Sequence, residues 1–157
     1  MKYILLFMPL FFLSCTENTS TTSSDKTIDT VIQKDSITTV AAPSLDRFTD
    51  LPSAIEGCSG IFHLLEDSSS NNYVFVMDLQ GIAFIKMDGE MIKLTRTKKY
   101  NAERIIKESY SAGDLEVVID LKETRQTGDE VWNYRGQLIL KSKIGNVQKE
   151  IEGDIGC

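Results

Sequence analysis

The chain has 157 residues with 17 basic and 23 acidic side chains, which gives a formal net charge of −6 at pH 7. An acidic balance of this kind lacks the electrostatic footprint of a nucleic-acid-binding protein, so we expect no nucleic-acid partner. It also provides no general attraction to anionic lipid, so any attachment to a membrane needs another source.

The first fifteen residues have the organisation of an export signal. Lys2 gives a positive start, residues 3–13 form a mostly apolar run, and the small residue Ser14 precedes Cys15. The run is shorter than the roughly 20 apolar residues that a membrane-spanning helix needs. We therefore interpret residues 1–14 as a signal peptide that is removed before Cys15, and not as a membrane anchor.

This stretch resembles the lipobox of bacterial lipoproteins, with Leu13 and Ser14 before the cysteine and Phe12 where that pattern prefers an aliphatic residue. The resemblance implies that Cys15 becomes the mature N-terminus and carries covalent lipid, including palmitate, in the cell envelope. Thr16, which is not Asp, implies the outer membrane by the sorting rule of one group of such proteins. The membrane face stays open, and beyond the lipid we expect no cofactor.

Residues 15–47 are expected to be a lipidated N-terminus followed by a disordered linker. Seven of the nine residues 16–24 are Ser or Thr, and the apolar residues that follow them show no period. Such a composition buries too little apolar surface to offset the entropy lost on ordering.

The chain has three cysteines, so pairing two of them in an oxidising compartment would leave one unpaired thiol. If Cys15 is acylated, Cys58 and Cys157 remain as one candidate disulfide, which would link the start and the end of the folded part. No cluster of thiolates or histidines near either cysteine suggests a metal site, and we expect no bound metal.

Residues 48–157 are long enough for one domain, and they read as β-structure almost throughout. Asp88-Gly89 is a preferred pair for a two-residue hairpin turn. It predicts Ile85 opposite Ile92 and Ala83 opposite Leu94 on the core face.

A second hairpin is predicted at Gly145-Asn146, with Ile144 opposite Val147 and Leu140 opposite Ile151. Between the hairpins, residues 115–122 alternate apolar and polar, as a half-buried strand does. Further strands are predicted at residues 60–65 and 73–77. Residues 104–109 fit a strand or a helical turn.

These signals predict an all-β fold, an antiparallel meander of seven to eight strands. The meander would close as a small barrel or form a two-layer sandwich. A disulfide that joins the neighbourhood of the first strand to the end of the last strand is consistent with closure of the sheet into a barrel.

Catalytic signals are sparse. His63 is the single histidine, and it lies in an apolar strand, where a packed or edge position is the usual role. No nucleophile elbow, calcium loop or phosphate-binding glycine loop is present. We expect no enzyme activity, with one exception: His63 exposed in a cleft beside a carboxylate or a serine hydroxyl would favour catalysis.

A possible binding patch lies on the other face of the first hairpin. It combines apolar side chains with a basic rim, an arrangement found at interaction sites when nothing covers it. Its residues are Ile82, Phe84, Met91, Lys86 and Lys93.

The sequence thus predicts a lipid-anchored, non-catalytic binding or structural module with a possible envelope protein as partner. It looks like small envelope lipoproteins without an assigned activity. There is a loose similarity to lipoproteins that inhibit lysozyme, which makes inhibition of a secreted hydrolase one alternative. A carrier of small apolar ligands is another, and it would need an unfilled barrel interior.

Overall fold

The computed structural model of the protein describes residues 43–67 and 69–157, and every regular element in that part of the chain is a β-strand. None of these residues forms a helix long and apolar enough to cross a bilayer. Cys15, the predicted signal peptide and most of the predicted linker lie outside the described residues. The strands are β1 (Leu45–Asp46), β2 (Ser59–Leu64), β3 (Tyr73–Asp78), β4 (Ile82–Met87), β5 (Glu90–Ala102), β6 (Ile105–Ala112), β7 (Leu115–Gly128), β8 (Val131–Ser142) and β9 (Gly145–Gly156).

Strands β2 to β9 form a closed antiparallel barrel in which neighbours along the chain are neighbours in the sheet. The pairing of β2 with β9 completes the closure and places Phe62 opposite Gly153. β1 is an additional strand, paired with β4. The all-β prediction is confirmed. Of the two predicted arrangements, a small barrel and a two-layer sandwich, the structure has the barrel. Closure gives each of the eight strands a partner on both sides, which removes the free edges of an open sheet.

The barrel interior is filled by apolar side chains from alternate positions of the strands. In β7, for example, Leu115, Val117, Ile119 and Leu121 are all buried, as their alternation predicts. The largest fully buried side chains of this core are Tyr110, Phe62, Phe75, Met77, Ile85, Leu94, Ile119, Leu121, Leu138, Leu140 and Ile151.

The first hairpin has the predicted register. Ile85 lies opposite Ile92 and Ala83 opposite Leu94. The turn requires positive φ at both of its residues, and the structure has φ of 49° at Asp88 and 84° at Gly89. The turn dipeptide alone was therefore enough to align β4 with β5.

The predicted register of the last hairpin is wrong by four residues. The turn consists of Lys143 and Ile144, so Leu140 lies opposite Val147, and Ile151 lies opposite Gly136. Gly145 has a φ of 147° and is the first residue of β9. The sequence pattern had assigned this glycine to the turn itself, so the predicted turn lies too far along the chain. Because the error is an even number of residues, Leu140 and Ile151 still face the interior.

The ambiguous segment near Ile105 is a strand, and it extends to Ala112. The turn before it contains Arg104 at a φ of 61°, a conformation that glycine or asparagine adopts more easily. Its sequence therefore carried no turn signal.

An N-terminal strap, which we define as residues 43–57, closes a short seam between β3 and β4. These two strands pair at only two positions. Where they separate, β1 pairs with β4, and Phe48 forms a bridge to Tyr73 through hydrogen bonds of 2.9 and 2.8 Å. Phe48 then packs on Val76 and Phe84 outside the barrel. The apolar run of β3 is continuous because the strap buries its outer face as well.

The strap is also held by an ion pair with the loop after β2. Arg47 donates from Nε and Nη2 to the carboxylate of Asp67 over 2.8 and 2.6 Å. This hydrogen bonding is the main reason that the pKa of Asp67 is lowered. A lowered pKa means that the ion pair stabilises the fold above the ordinary carboxyl range and is lost as the pH falls through the lowered value.

Candidate binding groove on the outer face of the barrel

A groove of about 390 Å³ lies on the outside of the barrel, where β2 and β9 run side by side. Its volume falls within the range of small-molecule sites, about 300 to 1,000 Å³. The groove is open to solvent. Its lining residues come from the end of the strap, β2, the loop before β3, the start of β3, the start of β8, and β9 with the residue after it. They are Gly57, Ser59, Ile61, His63, Ser70, Asn71, Tyr73, Val131, Gly153, Asp154, Gly156 and Cys157.

Strand alternation explains why polar side chains reach this surface. Phe62 and Leu64 point into the barrel, so Ile61 and His63 between them point outward. His63 lies opposite Tyr73 of β3, which places an imidazole and a phenol side by side.

The neighbouring strand on the other side supplies a carboxylate. Ile61 lies opposite Asp154 of β9. Three adjacent strands therefore present His63, Tyr73 and Asp154 on one wall of the groove.

Asp154 is positioned by a polar network beneath it. Its Oδ1 accepts hydrogen bonds from Asn133 Nδ2 at 3.1 Å and from Thr127 Oγ1 at 3.4 Å. Asn133 is only 5% exposed, and its own Oδ1 accepts a bond from Thr124 at 2.6 Å. Within the described residues, Oδ2 of Asp154 accepts no hydrogen bond, so that oxygen is available to a ligand.

Gly153 of β9 occupies a position that has no space for a side chain. A Cβ at this position would lie 2.0 Å from the carbonyl oxygen of Ile61, far closer than a side chain can approach. Glycine therefore allows β9 to lie tightly against β2. The predicted disulfide between Cys58 and Cys157 is confirmed, and it joins the same two strands at the end of the groove.

His63 shares the groove with a carboxylate and with two serines, the setting in which the sequence would favour catalysis. In the described part of the chain, however, His63 makes no hydrogen bond to Asp154, Ser59 or Ser70. A serine nucleophile needs its base within about 2.6–3.2 Å, although free enzymes are often looser.

No group of three or more His, Cys, Asp or Glu side chains that could hold a metal ion lies together among the described residues.

The five residues of the predicted binding patch lie on one face of the β4–β5 hairpin, but the strap covers part of it. Phe84 is buried beneath Phe48, and Ile82 is half-buried in the same cluster. Lys86 is half-buried, whereas Met91 and Lys93 are exposed. A binding role for this set stays a prediction, and the apolar surface that it offers is smaller than the sequence suggested.

A buried polar cluster inside the barrel was not expected from the sequence. Glu108 is 3% exposed and accepts a hydrogen bond from the Tyr110 hydroxyl. Arg96 Nη1 lies 3.3 Å from the same carboxylate and 3.4 Å from the carbonyl oxygen of Leu79. Burial, followed by the bond and the charge of Glu108, raises the pKa of Tyr110, so the phenol stays protonated as a donor.

Only one sequence signal could have revealed this cluster. Glu108 alternates with Ile106 and Tyr110, which places it on the inward face of β6. Because residues 104–109 fitted a strand or a helical turn, the sequence alone assigned no inward face to Glu108.

The fold and the groove define a small, closed antiparallel β-barrel, with a polar groove on its outer wall and an N-terminal strap. A scan against protein-family models matches no family. Searches among curated proteins and among solved structures likewise find no match.

Proposed function

We propose that the protein is a lipid-anchored binding module of the bacterial cell envelope, and that the groove is its binding surface. The lipobox-like residues before Cys15 support the anchor, and Thr16 after it supports an outer-membrane location. The observation that carries the binding role is the groove itself, in which His63, Tyr73 and Asp154 project from three paired strands. Side chains held on rigid strands are pre-organised, which lowers the cost of binding.

Binding outside the barrel is better supported than binding inside it. Aromatic and aliphatic side chains from all eight strands occupy the interior, where Phe75 packs against both Phe62 and Tyr110. A carrier would need that space for its ligand. The same packing makes the barrel a stable support for the outer groove.

Replacing Cys15 by Ser is expected to abolish lipid attachment, because serine offers no thiol for the first acyl-bearing group. Cells grown with an alkyne analogue of palmitate should label the natural protein, and the label should be absent from Cys15→Ser. The variant should also leave the membrane fraction. Ser14→Ala is the matched control, since it keeps a small residue before the cysteine and should remain labelled. Labelled Cys15→Ser, or an unlabelled natural protein, would refute the anchor.

A photo-crosslinking residue in place of Ser70 is expected to capture an envelope component in living cells. Ser70 is exposed and lines the groove, so this replacement leaves the core intact. The same residue in place of the exposed Lys98 on β5 is the control. Equal capture at both positions, or none at Ser70, would contradict a binding role for the groove.

A further inference from the structure

The groove cannot bind an extended peptide by adding it to the sheet. Such binding needs a strand with unpaired backbone groups. β2 pairs with β3 on one side and β9 on the other, and β9 pairs with β2 and β8. A ligand in this groove must therefore be recognised by side chains.

The side chains that line the groove both donate and accept hydrogen bonds. Ser59, Ser70 and Tyr73 carry hydroxyl groups, His63 carries an imidazole, and Asn71 carries an amide. None of the described lining residues is a lysine or an arginine. This composition disfavours phosphate, sulfate or carboxylate ligands, which are usually held by Arg, Lys or helix N-termini.

The remaining polar side chain is that of Asp154, whose Oδ2 has no donor among the described residues and can accept but not donate a hydrogen bond. Apolar surface from Ile61 and the ring of Tyr73 lies next to these polar groups. The groove thus offers a wall of donors and acceptors beside an apolar strip. Sugars have the matching chemistry, because each ring carries hydroxyl groups at its rim and C–H groups on its faces.

We infer that the groove binds a neutral saccharide of one or two rings. The inference rests on the proposed function, since it names the ligand class of the same groove. Hydroxyl groups of the sugar bond to His63 and to Oδ2 of Asp154, and one sugar face lies on Tyr73. Because the groove is open, affinity is modest, with a dissociation constant on the order of 1 mM.

The test is a titration of the full chain, purified in a zwitterionic detergent without a sugar headgroup, by ¹⁵N nuclear magnetic resonance. The neutral probes are cellobiose, maltose and N,N′-diacetylchitobiose, and a sulfated disaccharide is the anionic control. We expect at least one neutral probe to shift backbone signals of β2, β9 and the loop before β3 in a saturable manner. The sulfated sugar should leave them unchanged.

Variants separate the groove from the rest of the surface. His63→Ala and Asp154→Asn are each expected to weaken binding about 3- to 10-fold, the effect of one lost hydrogen bond. Asp154→Asn also alters the contact with Asn133, so Ser70→Trp provides a second variant. It fills the groove from an exposed loop and should abolish binding. Lys98→Trp places the same bulk on β5 and should bind like the natural chain.

The inference is overturned if none of the neutral sugars shifts the groove signals, or if Ser70→Trp binds as the natural chain does. Should sugars fail while the crosslinker at Ser70 still captures an envelope component, the groove is a binding site for another ligand class. In that case the saccharide is wrong and the proposed function stands. Failure of both experiments removes the groove as a binding surface.

Discussion

Glu108→Ala is expected to lower the free energy of unfolding by about 3 kcal/mol, because removing one partner of a buried ion pair leaves the other charge uncompensated. Glu108 lies inside the barrel against Arg96 and Tyr110. Urea denaturation of the purified protein measures the change. Glu116→Ala is the matched control, since the ion pair of Glu116 with Lys141 is exposed and should contribute at most about 1 kcal/mol.

A double variant distinguishes charge from packing. Arg96→Met combined with Glu108→Leu removes both charges and keeps apolar bulk, so its stability should return close to that of the natural protein. Equal losses for Glu108→Ala and Glu116→Ala, or a double variant as unstable as Glu108→Ala, would contradict the assignment of this cluster as a coupled buried pair.

Loss of the disulfide is expected to lower the free energy of unfolding by about 2 to 5 kcal/mol. The bond closes a loop with a sequence separation of 99 residues, which gives about 4.7 kcal/mol of chain entropy in the simple model. Urea denaturation of Cys58→Ser combined with Cys157→Ser, compared with the natural protein, measures the loss.

The folded shape should survive this change, because Ser59 still pairs with Gly156 beside the missing bond. The far-ultraviolet circular dichroism of the double serine variant should therefore match that of the natural protein before denaturant is added. Reduction of the natural protein with a phosphine should shift its denaturation midpoint in the same direction. Coincident midpoints for the oxidised and reduced protein would show that the bond contributes nothing.

Local chemistry explains where the sequence predicted the fold correctly. Asp88-Gly89 has one favourable conformation in a hairpin, so it determined the pairing of two strands. The lipobox resemblance assigns Cys15 to lipid, so Cys58 and Cys157 remained as the one candidate disulfide, and the structure contains it. Lys143 and Ile144 are not typical turn residues, whereas the adjacent Gly145-Asn146 is, so the turn was predicted at the wrong pair.

The candidate groove depends on contacts that no local pattern contains. His63 was recognised as the single histidine, but its neighbours Asp154 and Tyr73 come from strands on either side of β2. The buried role of Asn133 likewise depends on β7 and β9 lying next to β8. These residues come together only when the barrel closes, so the local sequence does not show that they are partners.

The bond between Cys58 and Cys157 makes the eight barrel strands a covalent ring. A single proteolytic cut at an exposed turn, such as Gly113-Asp114, would therefore leave one linked molecule with its strands still paired. The strap precedes Cys58 and lies outside this ring. A cut at the exposed Ala54 would break the covalent connection between this ring and Cys15, and only the non-covalent contacts of β1, Arg47 and Phe48 with the barrel would remain.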